Sequence, residues 1–170
     1  MIHLYCGDGK GKTTAAMGLA LRALGRDRRV VICQFLKNGD SGERLALERF
    51  ERAVLLPVPD TMKFIFQMTD GEKEQVRRET TDLFDRAAGM VRRKECDLLV
   101  LDEVCAAITT GMLDAKRVEA LLDETGDVEI VLTGRDPAEC LRVRADYITE
   151  MAACRHPFEQ GKPARMGIEW

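Results

Sequence analysis

A glycine-rich segment near the start of the chain, Gly7-Asp-Gly-Lys-Gly-Lys-Thr-Thr14, constrains the fold more than any other feature. It follows the short apolar run Ile2–Cys6, which predicts a strand, and it opens the amphipathic stretch Lys12–Gly25, which predicts a helix. Glycine permits the dihedral angles that turn several backbone N–H groups toward one anion. The amino terminus of the following helix adds partial positive charge. The segment therefore predicts a phosphate-binding loop.

The loop pattern assigns a role to individual positions. Lys12 is predicted to neutralise the terminal phosphates of a nucleoside triphosphate, ATP, and the Thr13 hydroxyl to ligate Mg²⁺. Cys6 departs from the usual pattern, in which a glycine stands at that position. The alternative is a glycine-rich turn with chance lysines, which the flanking strand and helix disfavour. The predicted nucleotide-binding residues of the loop are Gly7, Asp8, Gly9, Lys10, Gly11, Lys12, Thr13 and Thr14.

An acidic motif lies far along the chain, where the apolar run Leu98–Leu101 ends in Asp102 and Glu103. Carboxylates that follow a buried strand beside a phosphate loop hold Mg²⁺ directly or through water. We therefore predict both acids as metal ligands, together with Thr13. The alternative is a solvated turn, because acidic residues commonly follow buried strands.

An arginine follows another predicted strand. Thr133-Gly-Arg135 ends another predicted strand, and the planar guanidinium of Arg135 suits triphosphate oxygens. We include Arg135 among the predicted nucleotide-binding residues. A surface ion pair with Asp136 or Asp102 is an equal alternative.

Apolar runs alternate with amphipathic stretches along the chain, without internal repeats or linkers. This alternation predicts a mainly parallel sheet covered by helices on both faces. The fold class is thus α/β, a single P-loop (RecA-like) domain over residues 1–170, with ligands bound beyond the carboxyl ends of the strands. The predicted strands are Ile2–Cys6, Val30–Phe35, Val54–Pro57, Leu98–Leu101, Glu129–Thr133 and Tyr147–Glu150. The predicted helices are Lys12–Gly25, Gly42–Phe50, Glu72–Arg93, Ala115–Glu124 and Pro137–Arg144.

Two helix starts carry recognisable signals. Thr69 and Glu72 have the spacing of a capping box ahead of the best-supported helix. Asp136 before Pro137 is likewise typical of a helix amino terminus.

Composition excludes several classes of partner. Twenty-six basic and 29 acidic residues give a net charge of −3, which offers no broad attraction to nucleic acid or to an anionic membrane. No apolar run approaches the ~20 residues that span a bilayer, and the amino terminus lacks a secretory signal pattern. We therefore expect a cytoplasmic protein that binds neither nucleic acid nor membrane.

Six scattered cysteines form no Cys-x-x-Cys pair, and most lie in apolar stretches, where cysteine behaves as a small hydrophobe. Free structural thiols are predicted, with metal or redox work as the alternative. His3 and His156 are too few and too isolated to indicate a zinc site. The six are Cys6, Cys33, Cys96, Cys105, Cys140 and Cys154.

A phosphate loop by itself favours phosphoryl transfer by a kinase, an ATPase or a GTPase. The absence of an Asn-Lys-x-Asp base-reading motif from the sequence disfavours a GTPase. A small-molecule kinase or an ATPase stays open on the loop alone.

Several segments together resemble the corrinoid adenosyltransferases of the CobA/CobO/BtuR family. The loop is similar to that of the family, which often has Asn where Asp8 stands and which also lacks the earlier glycine. The resemblance extends over essentially the whole chain and is most specific at the carboxyl end. The further matching segments are Gln34-Phe-Leu-Lys37, Gly42-Glu43, Leu101-Asp-Glu103, Thr133-Gly-Arg135, Ala145-Asp146, Thr149-Glu-Met151, His156-Pro-Phe158, Gly161 and Ala164-Arg-Met-Gly-Ile-Glu-Trp170.

The resemblance implies a transferase with a different reaction. Members of this family move the 5′-deoxyadenosyl group of ATP onto the cobalt(I) of a reduced corrinoid such as cobalamin and release triphosphate. The loop, with Mg²⁺, would then hold a leaving group. Cobalt(I) is itself the nucleophile, so no protein nucleophile–base pair is required, and none is evident in the sequence.

Two aromatic residues carry the corrinoid side of the resemblance. In the family, a pair of aromatics packs under the corrin ring and displaces its lower axial ligand. Phe64 and Phe66 of Lys63-Phe-Ile-Phe66 match that pair, with Phe66 where well-known relatives carry Trp. In an extended stretch both point to the same side; two core phenylalanines are the alternative. The predicted catalytic residues are Lys12, Glu103, Phe64 and Phe66.

The resemblance also implies a homodimer and a reduced flavoprotein that donates electrons to the corrinoid. Some relatives carry an amino-terminal extension that helps to close the site, whereas this chain begins at its first strand. Closure is therefore expected from elsewhere, with a more open site as the alternative. The tail Arg155–Trp170 is rich in turn residues. It is expected to cover the nucleotide or to meet a partner, with a loosely packed terminus as the alternative.

Overall fold

Six strands form one parallel sheet in the computed structural model, which describes residues 1–59, 63 and 65–169. The strand order is β3-β2-β4-β5-β1-β6. The strands are β1 (Ile2–Cys6), β2 (Val30–Gln34), β3 (Ala53–Leu55), β4 (Leu98–Asp102), β5 (Glu129–Thr133) and β6 (Tyr147–Glu150).

Helices cover both faces of this sheet, as the alternation of apolar and amphipathic stretches predicted. The described helices are α1 (Lys12–Leu24), α2 (Gly42–Leu47), α3 (Asp70–Arg92), α4 (Val104–Thr109), α5 (Ala115–Asp123) and α6 (Glu139–Arg142). Two short 3₁₀ helices span Ile65–Gln67 and Pro157–Gln160.

Two apolar clusters hold the layers together. On one face, α1 packs Ala16, Met17 and Ala20 against residues of β2, β4 and β5. On the other face, a larger cluster includes Phe84 and Val91 of α3 together with residues of α4, α5 and α6. Strands β2 and β4 are buried at every position, which explains why their sequences read as continuous apolar runs.

The strand order determines which side chains can meet. Strand β5 lies between β1, which leads into the glycine-rich loop, and β4, which ends in Asp102. This order is consistent with a RecA-like fold. Because all the strands run in parallel, the ends of β1, β5, β4 and β2 lie at one edge. The register pairs Gln34 with Asp102 and Tyr5 with Thr133 at that edge.

Most predicted boundaries agree with the structure to within a few residues, but one predicted helix start was wrong and one helix was missed. Pro137 does not start a helix: α6 begins at Glu139, Ala138 is its N-cap, and Asp136 has a left-handed φ of 45°. Asp136 therefore lacks the extended backbone that is typical of an N-cap residue. The segment after Asp102 was not predicted to be helical, yet α4 begins at Val104 because its buried face packs into the core.

All six cysteines are free, in agreement with the prediction of thiols. Four of them are buried, Cys140 is partly buried and Cys154 is exposed. No helix in the described part of the chain is long and apolar enough to cross a membrane.

The predicted capping box at the start of α3 is present, and its contribution can be measured. The Thr69 hydroxyl accepts a hydrogen bond from the Glu72 N–H at 3.3 Å, and the Glu72 carboxylate accepts one from the Thr69 N–H at 2.8 Å. We expect Thr69→Ala to lower the free energy of unfolding by about 1 kcal/mol in urea denaturation, because it leaves a helix N–H without its cap. Thr69→Ser retains the hydroxyl and is expected to lose less than half as much. Equal losses in the two variants would contradict this role of the hydroxyl.

Candidate active site

The glycine-rich loop joins β1 to α1 and packs closely on the chain that follows β6. Gly7 and Gly11 have left-handed φ angles of 97° and 112°, which side chains disfavour. The Gly9 N–H donates a hydrogen bond to the Met151 carbonyl oxygen at 2.6 Å. A Cβ atom at Gly9 would lie 2.6 Å from that oxygen. The loop therefore needs glycine at Gly9 for close backbone packing, in addition to the dihedral freedom predicted from sequence.

Lys12, the first residue of α1, folds back over this loop. Its side chain is buried, and its Nζ donates hydrogen bonds to the Gly7 carbonyl oxygen at 2.6 Å and the Gly9 carbonyl oxygen at 2.7 Å. An ammonium held in this way can neutralise an anion that enters the loop. Asp8, Lys10 and Thr14 are exposed.

A buried carboxylate joins the loop helix to three other parts of the sheet edge. Asp102 has no solvent exposure. Its Oδ1 accepts hydrogen bonds from the Thr13 hydroxyl at 2.9 Å and the Thr133 hydroxyl at 2.7 Å. Its Oδ2 accepts hydrogen bonds from the Gln34 amide at 3.1 Å and the Lys37 ammonium at 2.7 Å. The structure thus brings the predicted residues Thr13 and Asp102 into direct contact.

Buried polar residues extend this network behind Asp102. The Arg44 guanidinium, from α2, donates hydrogen bonds to Gln34 Oε1 at 3.0 Å and to the Leu56 carbonyl oxygen at 3.1 Å. Sequence reasoning did not assign Gln34, Lys37, Arg44 or Thr133 to the site. The available signal was a polar residue directly after the apolar part of a strand. Gln34 follows Val30–Cys33 and Thr133 follows Ile130–Leu132, just as Asp102 follows Leu98–Leu101.

The network keeps the Asp102 carboxylate ionised. Burial by itself would raise the pKa of this carboxyl group, but the charge of Lys37 and the hydrogen bonds from Lys37, Thr133 and Gln34 outweigh it. The net effect is a pKa below the ordinary aspartate value. A negative charge is therefore available at the end of β4.

Glu103 has a different environment, although it is the next residue. It adopts a left-handed φ of 60°, and its N–H donates a hydrogen bond to the Thr133 hydroxyl at 2.9 Å. Burial and the charge of Asp102 raise the pKa of Glu103, whereas Lys37, Lys12 and Arg135 lower it by less. The pKa values of these two adjacent acids are therefore shifted in opposite directions.

Arg135 lies just beyond β5 and is exposed. Its charge lowers the pKa of Glu103, which indicates proximity to the acidic end of the site. Gly134 precedes it with φ 144°, and a Cβ atom there would lie 2.5 Å from Cys105 Cβ. Glycine thus lets the end of β5 pass beside the start of α4.

The oxygen atoms of Thr13 and Asp102 fit a magnesium ion that takes its further ligands from phosphate. In the described ranges, no three His, Cys, Asp or Glu side chains gather closely enough to hold a metal ion. The Thr13 hydroxyl and the Asp102 carboxylate, which are hydrogen-bonded to each other, both contact the Lys37 ammonium. Magnesium commonly takes one or two protein oxygens and completes its coordination with substrate phosphates and water. Thr13 and Asp102 provide suitable oxygens.

The aromatic segment differs from the extended stretch expected from sequence. Ile65–Gln67 forms a 3₁₀ helix, and Phe66 is 80% exposed, so Phe66 is not a core residue. Phe64 lies outside the described residues. A separate cavity of about 380 Å³ lies between the ends of β2 and β3 and helix α3, with Phe35, Val58 and Leu83 in its lining.

The carboxyl-terminal tail approaches the glycine-rich loop at Lys10. Lys10 Nζ lies 3.8 Å from Glu169 Oε1. Lys10 also lines a pocket of about 520 Å³ together with tail residues that include His156, Lys162 and Arg165. The tail therefore approaches the glycine-rich loop, whereas Trp170 lies outside the described residues.

Comparison with known proteins identifies the family. The sequence pattern of the family described as ATP:corrinoid adenosyltransferase BtuR/CobO/CobP matches residues 1–170. The chain belongs to this corrinoid adenosyltransferase family. The corrinoid adenosyltransferase of Pseudomonas aeruginosa is 31% identical over 172 residues, which cover 100% of this chain and 83% of that protein.

Other relatives agree. The corrinoid adenosyltransferase CobA of Salmonella typhimurium is 30% identical over 177 residues, covering 100% of this chain and 85% of that protein. The corrinoid adenosyltransferase of Escherichia coli K12 is 29% identical with the same coverage. The reaction of this transferase family is the ATP-dependent adenosylation of corrinoids. The resemblance inferred from sequence motifs is confirmed.

The packing of the adenosyltransferase loop on Met151 generates a prediction. Gly9→Ala places a methyl group within 2.6 Å of the Met151 carbonyl oxygen, so the loop must move. We expect at least about a tenfold loss of ATP affinity by calorimetry, equivalent to ~1.4 kcal/mol, together with a lower melting temperature.

Gly18→Ala in α1 is the matched control, because a Cβ atom there has open space. Alanine in a helix is more favourable than glycine by roughly 0.5–1 kcal/mol. This control is expected to be neutral or stabilising. Normal ATP affinity in Gly9→Ala would show that the close packing is not needed for binding.

Proposed function

We propose that this chain transfers the 5′-deoxyadenosyl group of ATP to the cobalt(I) of a reduced corrinoid and releases inorganic triphosphate. The observation that carries the proposal is the family match over residues 1–170. The glycine-rich loop, Lys12 and the Asp102 network at one edge of the sheet support it.

The loop would bind the triphosphate as a leaving group. Cobalt(I) donates an electron pair to the 5′ carbon of ATP, the bond between that carbon and its oxygen breaks, and the pair leaves on the triphosphate. Stabilising that developing charge is the main electrostatic task for the protein. The Lys12 ammonium, the loop N–H groups and the exposed guanidinium of Arg135 are suited to it.

The residues around the loop would position ATP and the metal. Thr13, Asp102 and Glu103 would hold Mg²⁺, which supplies charge neutralisation to the triphosphate when bound. Asp102 is suited to this role because its lowered pKa keeps it anionic. No protein nucleophile is needed, so the remaining requirement is alignment of the 5′ carbon with cobalt.

The corrinoid would contact the aromatic segment. An exposed Phe66 has apolar surface available for a large ring system. Phe64 and Phe66 would pack against the lower side of the corrin ring and displace its axial ligand, as the family resemblance implies. Both residues would then favour reduction to cobalt(I).

Further features follow from the family assignment and are part of this proposal. We propose a cytoplasmic homodimer that uses Mg²⁺ and receives a corrinoid reduced by a flavoprotein. Residues 1–170 would act as one nucleotide-binding domain. The tail contact between Lys10 and Glu169 would help to cover the nucleotide.

Phosphorus NMR tests the reaction. The full chain is incubated with ATP, Mg²⁺ and chemically reduced cobalamin, and we expect resonances of intact triphosphate and formation of adenosylcobalamin. ADP with a phosphorylated acceptor, or ADP with phosphate, would instead establish a kinase or an ATPase. Triphosphate that is absent under these conditions would refute the proposed reaction.

Lys12→Ala tests the leaving-group role. Loss of a buried charge partner is expected to reduce kcat by about 100-fold or more, or ~2.7 kcal/mol of transition-state stabilisation. Lys116→Ala removes an exposed lysine from α5 and serves as the control. Unchanged turnover in Lys12→Ala would show that this ammonium does not act on the triphosphate.

Phe66→Ala tests the corrinoid contact. Because Phe66 is 80% exposed, we expect a stability change within roughly 0.5 kcal/mol and unchanged ATP affinity. Turnover should fall with cobalamin and fall less with a corrinoid that lacks the lower nucleotide ligand. Phe66→Trp, which retains an aromatic ring, is the matched control. Parallel loss of ATP affinity and thermal stability would indicate a structural residue.

A further inference from the structure

Lys37 places a positive charge against Thr13 and Asp102, two of the groups that the proposed function assigns to Mg²⁺. Its Nζ donates hydrogen bonds to Thr13 Oγ1 at 2.9 Å and to Asp102 Oδ2 at 2.7 Å, beside the direct hydrogen bond from the Thr13 hydroxyl to Asp102 Oδ1. Among the ion pairs of the described residues, Lys37 supplies the one in which Asp102 takes part. Lys12 bonds instead to the carbonyl oxygens of Gly7 and Gly9.

The backbone before Lys37 is arranged to aim this side chain at the acid. Phe35 is buried, and its N–H donates a hydrogen bond to the Asp102 carbonyl oxygen at 2.9 Å. Leu36 packs against the core with a left-handed φ of 53°, an unfavourable conformation for a bulky residue. The chain therefore turns sharply after Phe35, and Lys37 lies over the strand ends with 28% of its side chain exposed.

The negative charge of the buried Asp102 carboxylate explains why a cation is held beside it. A fully buried carboxylate without a partner is strongly destabilising. The amide of Gln34 and the hydroxyl of Thr133 donate hydrogen bonds to Asp102 but carry no charge. The Lys37 ammonium supplies the compensating positive charge.

We propose that Lys37 is a built-in counter-ion that contacts Thr13 and Asp102 where Mg²⁺ would bind them, and that it is displaced when Mg²⁺ arrives with the triphosphate. The inference rests on the proposed function, which assigns Thr13 and Asp102 to the metal. Mg²⁺ binds oxygen at about 2.1 Å, so it cannot share this position with an ammonium that contacts both oxygens.

Displacement has a consequence for the order of binding. Mg²⁺ alone must compete with a tethered ammonium for Asp102, so the metal site is weak in the absence of nucleotide. A triphosphate supplies further oxygens to the metal and a new anionic partner for the displaced lysine. The metal therefore binds effectively only together with ATP.

Mn²⁺ provides a direct probe because electron paramagnetic resonance measures the free ion. The full chain is titrated with Mn²⁺ in the absence and presence of ATP, using the wild type, Lys37→Met, Lys37→Gln and Lys37→Arg. Lys116→Met is the control for removal of an exposed lysine. We expect the wild type to bind Mn²⁺ weakly without ATP, and Lys37→Met to bind it at least about tenfold more tightly.

The companion variants separate charge from shape. Lys37→Gln keeps a polar side chain without the positive charge and should resemble Lys37→Met, whereas Lys37→Arg and Lys116→Met should resemble the wild type. Lys37→Gln also serves if Lys37→Met fails to fold. The double variant Lys37→Met/Asp102→Asn removes both charges, and the gain in Mn²⁺ affinity should disappear.

Thermal unfolding gives an independent readout. Without metal, Lys37→Met should melt roughly 5–10 °C below the wild type, because it leaves Asp102 buried and uncompensated. Millimolar Mg²⁺ alone should restore much of this loss in Lys37→Met and leave the wild type nearly unchanged.

Either of two results would overturn the inference: Mn²⁺ affinity in both neutral variants that is unchanged or weaker, or Mg²⁺ alone stabilising the wild type as much as Lys37→Met. In that case Lys37 is a permanent part of the site.

Wild-type triphosphate formation tests the proposed function separately. If it occurs while the neutral variants bind Mn²⁺ no better, the counter-ion role alone fails; if wild-type protein binds no Mn²⁺ even with ATP, the metal assignment fails as well.

Discussion

The buried carboxylate of Asp102 is the constraint on which the site depends. An ionised group without solvent exposure must receive hydrogen bonds and opposite charge from the protein. Here the hydrogen-bond donors are Thr13 of α1, Gln34 of β2, Lys37, which follows β2, and Thr133 of β5. Four side chains that the sheet brings to one edge thereby converge on a single charge.

The same edge joins the two ends of the chain. The glycine-rich loop follows β1, and its closest backbone contact is with Met151, just after β6. Lys10 then approaches Glu169 in the tail. The glycine-rich loop is thus supported by the carboxyl-terminal segment, which is the part of the sequence that resembles the family most specifically.

This arrangement is suited to holding a departing anion. In adenosyl transfer the nucleophile is supplied by the corrinoid, so the protein needs fixed positive charge and alignment more than acid–base chemistry. Lys12 lies over the loop, Lys37 lies over Asp102, and Arg135 is exposed near Glu103. The raised pKa of Glu103 and the lowered pKa of Asp102 show that adjacent acids have been given different environments.

Local patterns were enough to predict the strands, the long helices, the capping box at Thr69 and the loop, because each has a local signal: an apolar run, a helical period, a cap or a glycine pattern. They also placed Asp102 at a strand end. The hydrogen bonds of Lys37 and Gln34 to Asp102 could not be predicted in this way, because those contacts depend on strand order and register. Helix α4 was missed for a related reason: the packing of its buried face into the core stabilises it, and no local pattern encodes that packing.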